Sequence, residues 1–180
     1  VDLTTFKVNG GKKLSRKKLH IKEETLLLLF VGRIQPHKGP EVLIRAVAEM
    51  VRHTPTIRAT LRAIIMGGAS GSGSSEPERL QGLARFLGVS DIVEIVPPVA
   101  NEELADWYRS ADLVCVPSYP RAWSATMLRL LMEPQRRLLL SMGAVEHASH
   151  FGWDVTARGM LDVYDHVLSR GKSAELNLAQ

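Results

Sequence analysis

The feature that most constrains the fold is an unbroken apolar run at Leu26–Val31, which is followed by a short basic loop and a helical pattern. Six apolar residues in a row favour a strand that is buried on both faces, and Gly32 allows the backbone to turn sharply after it. Pro40 suits the first turn of a helix. Apolar residues then recur along one face of that helix, at Val42, Leu43, Ala46, Val47 and Met50. The segment predicts the strand, loop and helix of a parallel α/β unit.

The loop of this unit carries two cations, Arg33 and Lys38. Open α/β sheets bind ligands beyond the carboxyl ends of their strands, where helix amino termini present free N–H groups. An arginine can hold two phosphate oxygens while a lysine adds a point charge, so the pair suits a diphosphate. The spacing alone is equally consistent with two solvated loop cations, and both interpretations stay open at this point.

Three further apolar runs, Leu61–Met66, Ile92–Val96 and Leu113–Pro117, alternate with helical patterns. This alternation predicts an α/β fold, a Rossmann-like parallel sheet flanked by helices. A glycine-serine loop, 67–75, follows the second strand, but neither its glycine spacing nor the residues after it match a phosphate-binding motif. Its predicted place at the same sheet edge as Arg33 is what connects it to a site. Three helices are expected near the C-terminus, at 123–132, 134–150 and 153–168.

The net charge of +4 is concentrated in residues 1–22, which carry seven cations and one carboxylate, whereas the other 158 residues carry −2. Such an arm can bind nucleic acid, but little aromatic interleaving and no second basic face accompany it. We therefore expect a solvated segment and no nucleic-acid partner. The single cysteine, Cys115, excludes an internal disulfide and lies in an apolar run, which predicts a buried inert thiol.

No apolar run approaches the length of a membrane span, and the first residues lack the pattern of a signal peptide. The expectation from these two observations is a cytoplasmic protein without a membrane span.

Four segments, in order and spacing, resemble the C-terminal domain of retaining GT-B glycosyltransferases of family 4: VGRIQPHKGPEVLIRA, MGGASGSG, ELADWYRSADLVCVPSY and GAVEHASHFGWDVTARGMLDVY. In that family an Arg-x4-Lys pair, here Arg33 and Lys38, holds the diphosphate of a nucleotide sugar and assists catalysis. The resemblance implies the C-terminal half of a GT-B fold. It divides the chain into a basic interdomain segment at 1–22, a nucleotide-sugar-binding Rossmann-like domain at 23–168 and a polar tail at 169–180.

The resemblance also implies a set of substrate-binding residues. Family members hold the nucleotide base with main-chain groups after the third strand and often place an arginine near the position of Val99, so the valine predicts a more apolar base contact. A magnesium ion, which the chemistry does not require, is implied at Tyr108, Arg109 and Ala111, where mostly main-chain ligation is expected. The implied substrate-binding residues are Gly32, Arg33, Lys38, Gly67, Gly68, Pro98 and Val99.

The resemblance is interrupted after Tyr119. The family pattern expects an acidic residue, a Phe-Gly pair and a second glutamate there. The sequence that follows Tyr119 is instead PRAWSATMLRLLMEPQRRLLLSMGAVEHA, which matches the family far downstream of this position. The join between Tyr119 and Pro120 therefore predicts a gap on the order of 40 residues, about two strand-and-crossover units. Either the chain is truly shortened, or a disordered stretch was left out and the rest renumbered. The second explanation is favoured, because losing two central units would expose the core of a parallel sheet.

The functions implied by the resemblance centre on glycosyl transfer. The best match within the family is to enzymes that transfer N-acetylglucosamine from UDP-N-acetylglucosamine to 1L-myo-inositol 1-phosphate in mycothiol synthesis. This chain would be the donor-binding half, inactive alone, and would need its own N-terminal GT-B domain; a homodimer is left open. The alternatives are a relative with another donor and acceptor, such as a sucrose-phosphate synthase or a mannosyltransferase, and a non-catalytic nucleotide-binding module.

Overall fold

The computed structural model of the 180-residue chain describes residues 5–6, 11–68, 76–117, 123–150, 152, 155 and 157–162. Two compact units are distinguished. The larger, Val8–Leu139, contains the whole sheet, whereas the smaller combines Val1–Lys7 with Leu140–Gln180. Of the predicted helix 153–168, the structure describes Val155 and residues 157–162, and all of these are helical.

The elements of the chain alternate as the apolar runs predict. Four strands form one parallel sheet in the order β3-β2-β1-β4. The strands are β1 (Leu26–Val31), β2 (Leu61–Met66), β3 (Val93–Val96) and β4 (Leu113–Val114). The helices are α1 (Lys12–Lys18), α2 (Pro40–His53), α3 (Glu76–Phe86), α4 (Asn101–Ser110), α5 (Trp123–Met132) and α6 (Pro134–Ser149), and 3-10 turns occupy Pro36–Lys38 and Pro55–Ala59.

The strands are buried on both faces, as the run at Leu26–Val31 predicts. Alternate residues of β1 enter two separate apolar clusters, because successive side chains of a strand point to opposite faces. Leu28 and Phe30 pack with α2, α3 and α5, whereas Leu27 and Leu29 pack with Ile21 and the apolar side of α4. The sheet is therefore covered by helices on both faces, which confirms the predicted doubly covered α/β architecture.

The strand β4 is shorter than the predicted run Leu113–Pro117. It pairs with β1 only, and Val114 and Val116 remain 48% and 67% exposed. Between them, Cys115 is buried, and its N–H donates to the carbonyl of Leu29 at 2.7 Å. The pairing ends there because Pro117 has no N–H to donate. Among the described residues, no strand pairs with the other edge of β4.

Helix α5 completes the core next to β4. Its Met127 and Leu131 are buried in the cluster that contains α2 and β1, and Trp123 and Leu128 pack against the same cluster. The sheet face that the shortened sequence was expected to leave bare is therefore closed by α5. The choice between a truly shortened chain and an omitted stretch at this join stays a prediction from the sequence. The local structure of residues 118–122 lies outside the described ranges.

Helix α1 is docked on the sheet domain rather than solvated, which corrects the expectation for the basic segment. Arg16 and Ser15 are buried, and the Ser15 hydroxyl donates to Asp106 of α4 at 2.7 Å. Lys18 adds an ion pair to the same carboxylate at 3.0 Å. The Arg16 guanidinium also donates to three main-chain carbonyls, those of Ser110, Lys22 and Glu23. A buried guanidinium without such partners would be costly, so these bonds explain why the helix stays in place.

Asp112 is the charged centre of this docking contact. Its carboxylate, whose side chain is 5% exposed, accepts from Arg16 at 2.7 Å, from Lys12 at 2.6 Å and from the N–H of Leu27 at 2.8 Å. Arg137 lies 3.6 Å away. Burial alone would raise the pKa of Asp112, but the hydrogen bonds and the positive charges of Lys12 and Arg16 outweigh burial and lower its pKa. Asp112 therefore joins α1, β1 and β4.

Gly39, which precedes α2, packs against Pro117, three residues beyond the end of β4. Its φ of 70° lies in the left-handed region, and a Cβ at this position would stand 2.0 Å from the carbonyl oxygen of Pro117. Both observations require glycine there. In the part of the chain that the structure describes, no helix is long and apolar enough to cross a membrane.

Replacing Gly39 by alanine is expected to lower the free energy of unfolding by about 1–3 kcal/mol, because it adds backbone strain and a clash with Pro117. Gly82→Ala is the matched control, since Gly82 lies within α3 and its Cβ would meet no atom within 4 Å. That change should be neutral or stabilise by up to about 1 kcal/mol. Urea unfolding of the three proteins measures the difference, and equal stability of the two variants would contradict the assigned contact.

Asp112→Asn is expected to lower the free energy of unfolding by about 3–5 kcal/mol, because it leaves Arg16 buried without a counter-ion. Asp91→Asn is the control, because its ion pair with Arg58 is exposed and should contribute at most about 1 kcal/mol. The pKa of Asp112 is lower in the folded protein than in the unfolded chain. The ionised carboxylate therefore stabilises the fold fully at pH values above the unfolded-state pKa. This stabilisation is lost as the pH falls through the folded-state pKa. The free energy of unfolding, measured from neutral to acid pH, should fall more steeply in the parent protein than in Asp112→Asn.

Candidate functional site

The loops that follow β1 and β2 continue the hydrogen bonding of the sheet. The N–H of Gly32 donates to the carbonyl of Met66, the N–H of Gly67 donates to Val96, and the N–H of Ile34 donates to Gly68, each at 3.0 Å. A Cβ on Gly67 would stand 1.8 Å from the carbonyl oxygen of Gly32, so only glycine allows this approach. The carboxyl ends of β1, β2 and β3 are thereby held as one continuous edge.

A cleft of about 320 Å³ opens at this edge. It combines residues from the ends of three strands with one residue from the first turn of α4. Its lining consists of Val31, Gly32, Arg33, Met66, Gly67, Gly68, Pro98, Val99 and Leu104. Six of the seven residues that the resemblance implied for substrate binding therefore meet in one cleft, at the edge where parallel α/β sheets bind ligands.

Arg33 is the one charged side chain among these lining residues. It is exposed, and it directly precedes Ile34, whose buried side chain anchors the loop in the core. Within the described part of the chain, no side chain forms a hydrogen bond or an ion pair with Arg33. Its guanidinium is therefore available to an anionic ligand, and the planar fork suits two oxygens of one phosphate group.

Lys38 does not line the cleft, in contrast to Arg33. It ends the 3-10 turn Pro36–Lys38, its side chain is exposed, and its N–H donates to the carbonyl of Gln35 at 3.0 Å. The turn is fixed by Gly39, which contacts the end of β4 rather than that of β2. The predicted pair is thus divided between the cleft and the neighbouring loop.

The amino terminus of α2 offers fewer free donors than a helix start usually does. Pro40 has no N–H, and the N–H of Val42 donates to the carbonyl of Gly39 at 3.0 Å. Glu41 brings a carboxylate to the same turn, where Arg79 pairs with it at 2.9 Å. An anion in the cleft therefore depends more on the Arg33 side chain than on the dipole of α2.

The residues implied for magnesium do not fit an ion that would contact a ligand in the cleft. Tyr108, Arg109 and Ala111 lie at the end of α4, next to the amino end of β4, whereas the cleft lies at the carboxyl ends of the strands. Burial raises the pKa of the Tyr108 phenol, and Arg109 donates to Asp106 at 3.1 Å. Neither side chain offers an anionic oxygen. The described residues contain no group of three His, Cys, Asp or Glu side chains that could hold a metal.

Cys115 is buried and inert, as the sequence predicts. Burial raises the pKa of its thiol to about 12, and its sulfur lies 3.8 Å from that of Met127. A thiol of this pKa carries almost no thiolate at neutral pH, which excludes a nucleophilic role.

Three lining residues were not predicted for the site: Val31, Met66 and Leu104. Val31 and Met66 are the last residues of their strands, and Leu104 lies on the first turn of α4. Their apolar character indicates core packing in the sequence, and only the arrangement of the strand ends shows that they also face the cleft.

The comparison with protein families gives one match, to the group 1 glycosyl transferases, over residues 11–127. This range includes every residue that lines the cleft. It also includes α1, which agrees with the docking of that helix on the sheet domain.

Curated relatives match most of the chain. D-inositol 3-phosphate glycosyltransferase of Kineococcus radiotolerans is 36% identical and covers 91% of this chain and 49% of its own length. The protein of the same name from Frankia alni is 39% identical and covers 94% of this chain and 52% of its own length. The chain thus spans about half the length of the curated relatives it matches.

The alignment lengths show that the relatives have additional residues within the matched region. The Kineococcus alignment runs over 215 positions, whereas 91% of 180 residues is about 164, so about 50 positions hold no residue of this chain. A gap of this size agrees with the predicted interruption on the order of 40 residues. Its placement between Tyr119 and Pro120 stays a prediction from the sequence.

Solved structures of three named proteins have the same fold. WaaG, a glycosyltransferase involved in lipopolysaccharide biosynthesis, is 25% identical with a TM-score of 0.52 and covers 70% of this chain and 30% of its own. Sucrose-phosphate synthase of Thermosynechococcus elongatus is 27% identical with a TM-score of 0.55. The match covers 71% of this chain and 30% of the synthase. Anabaena HepE, in complex with UDP and glucose, also shares the fold. It is 21% identical with a TM-score of 0.51, and the match covers 63% of this chain and 28% of HepE.

The sheet order, the cleft at its carboxyl edge and the matched residues agree on one assignment. The chain adopts the parallel α/β architecture of the GT-B glycosyltransferases and belongs to the group 1 glycosyl transferase family.

Proposed function

We propose that this chain is the donor-binding half of a retaining hexosyltransferase. The proposed reaction is the transfer of N-acetylglucosamine from UDP-N-acetylglucosamine to 1L-myo-inositol 1-phosphate. The names of the curated relatives support the acceptor class, and the family supports the reaction type. The observation that carries the proposal is the position of Arg33 in a mostly apolar cleft at the carboxyl ends of the strands, where it has no ion-pair partner among the described residues.

The proposed role of Arg33 is to stabilise the leaving group. When the bond between sugar and phosphate breaks, negative charge develops on the departing nucleoside diphosphate. A preorganised guanidinium lowers the energy of that state more than that of the bound donor, and one such donor is typically worth about 3 kcal/mol.

The described lining of the cleft contains no carboxylate that could form a covalent intermediate with the sugar. The family resemblance implies a front-face reaction, in which the leaving phosphate accepts the proton of the attacking acceptor hydroxyl. Residues that bind the acceptor are assigned to the part of the relatives that this chain does not match. We derive no step through a magnesium ion, because the side chains implied for it lie at the opposite edge of the sheet.

Arg33→Ala is expected to weaken the binding of UDP by about 10- to 100-fold, since it removes the one cation that lines the cleft. Lys38→Ala should have a smaller effect, because Lys38 lies outside the lining. Arg45→Ala is the matched control, because Arg45 is an exposed arginine that lines a different groove on α2. Isothermal titration calorimetry with UDP measures all three.

Binding that is unchanged in Arg33→Ala, or equally reduced in Arg45→Ala, would contradict the proposed donor site. Transfer activity is measured separately, with the 180-residue chain, UDP-N-acetylglucosamine and inositol phosphate. Product formation by this chain would contradict the proposal that it is only a donor-binding half.

A second candidate function is a nucleotide-binding module without transferase activity. The observation that favours it is the set of about 50 alignment positions at which the relatives have residues and this chain has none. The family pattern places two glutamates after the position of Tyr119, and neither is present. This candidate predicts UDP binding without turnover, even when the chain is joined to a complete N-terminal half from a relative. Restored turnover in that fusion would exclude it.

A further inference from the structure

A second groove lies on the sheet domain, away from the cleft that contains Arg33. It has a volume of about 490 Å³, which lies in the range of small-molecule sites. The second half of α2, the 3-10 turn Pro55–Ala59 and the loop between α3 and β3 form its walls. This turn leads into β2 and this loop leads into β3, so the groove lies at the amino ends of the strands. Residues 40–66 and 76–96, which include its whole lining, are described throughout.

The charged side chains of the groove are mostly cationic. Arg45, Arg52 and Arg58 line it against a single carboxylate, that of Glu49. Outside the lining, Asp91 pairs with Arg58 at 2.5 Å. The lining itself therefore carries three positive charges and one negative charge, which favours an anionic ligand.

The three arginines keep N–H groups for a ligand. Arg45 is exposed and, among the described residues, forms no hydrogen bond or ion pair. Arg52 donates to Glu49 through Nε and Nη2, at 3.2 and 2.6 Å. Arg58 donates to Asp91 through the same two atoms, at 3.0 and 2.5 Å. These two ion pairs orient the guanidiniums, and in the described part of the chain the Nη1 group of each has no acceptor.

The rest of the groove is apolar and is fixed by the core. Its other lining side chains, Ala48, Val51, Leu87 and Val89, form the apolar floor of the groove. Val89 is buried in the cluster that contains α2 and β1, and the other three are half-buried and pack against that cluster. These side chains offer no hydrogen bond to a sugar or a peptide, whereas they can pack against a hydrocarbon body.

We propose that this groove binds a soluble phosphate monoester with an apolar body, such as an aryl phosphate. The phosphate contacts Arg45 and the available Nη1 groups of Arg52 and Arg58, and the body packs on the apolar floor. A phosphate presents three terminal oxygens, so it can accept from several guanidiniums at once.

The groove is distinct from the donor cleft, with which it shares no lining residue. Its volume suits one small molecule. A nucleotide is a poorer ligand than an aryl phosphate, because its ribose hydroxyls would lose water on the apolar floor without gaining hydrogen bonds to these side chains.

Three probes separate the charged contacts from the apolar ones: naphthyl phosphate, inorganic phosphate and naphthol. Each is titrated into the 180-residue chain, and isothermal titration calorimetry gives its dissociation constant. Naphthyl phosphate should bind at least about tenfold more tightly than either of the other two, because it alone engages the arginines and the floor together. Affinity no higher than that of inorganic phosphate would overturn the proposal and indicate an adventitious ion only.

Arg45→Ala is expected to weaken the binding of naphthyl phosphate by about tenfold or more, because it removes the arginine that pairs with no described residue. Arg85→Ala is the matched control, since Arg85 is an exposed arginine of α3 that lies outside the lining. This control should change the dissociation constant by less than about threefold. Glu49→Gln should tighten binding by about two- to tenfold, because it removes the one carboxylate of the lining and releases Arg52.

The donor cleft provides the remaining comparison. Arg33→Ala and an excess of UDP should both leave the binding of naphthyl phosphate unchanged, and Arg45→Ala should leave the binding of UDP unchanged. Displacement by UDP, or a loss in Arg33→Ala as large as that in Arg45→Ala, would overturn the groove as a separate site without affecting the proposed function. Equal losses in Arg45→Ala and Arg85→Ala would also overturn it, because they would show attraction to net charge alone. If UDP does not bind while naphthyl phosphate behaves as expected, the proposed function is overturned and the groove is not.

Discussion

The candidate site depends on the register of three parallel strands, whose carboxyl ends are held at one level by hydrogen bonds that continue past the strands. The N–H groups of Gly32 and Gly67 donate to the last residues of β2 and β3 at 3.0 Å. The approach is so close that a Cβ on Gly67 would stand 1.8 Å from the carbonyl of Gly32. Any slip in the pairing of β1 with β2 would separate Arg33 from the apolar residues of the cleft, because these residues come from loops on different strands.

A second constraint acts at the opposite edge of the sheet, where one carboxylate is shared by several cations. Asp112 accepts from Lys12, from Arg16 and from the N–H of Leu27, and Arg16 also bonds to three carbonyls. Four of these partners are main-chain groups: the N–H of Leu27 and the carbonyls of Ser110, Lys22 and Glu23. The amino ends and the carboxyl ends of the strands thus contribute differently to the structure. Charge and main-chain bonding hold the elements together at the amino ends of the strands, which leaves the loops at the carboxyl ends free to form a cleft.

The sheet and its flanking helices were predictable because their signals are local and strong. The apolar runs at Leu26–Val31 and Leu61–Met66 define strands with the observed bounds, and Pro40 begins α2 as expected. The docking of α1 was not predictable, since charge counting cannot show that Arg16 meets Asp112, 96 residues further along the chain. The same reason applies to the cleft. Val31, Met66 and Leu104 resemble ordinary core residues in the sequence.

The sheet face next to β4 shows how a helix that follows the last strand can close the core of a parallel sheet. The expectation of a bare core assumed that the face next to β4 is covered only by elements from the missing positions. Met127 and Leu131 of α5 instead fill the space against α2 and β1, so that this face is closed. The other edge of β4 pairs with no strand among the described residues, because edge pairing needs another strand whereas face packing needs only an apolar helix. Val114 and Val116 stay exposed at that edge, while the described lining of the cleft lies wholly within residues 31–104.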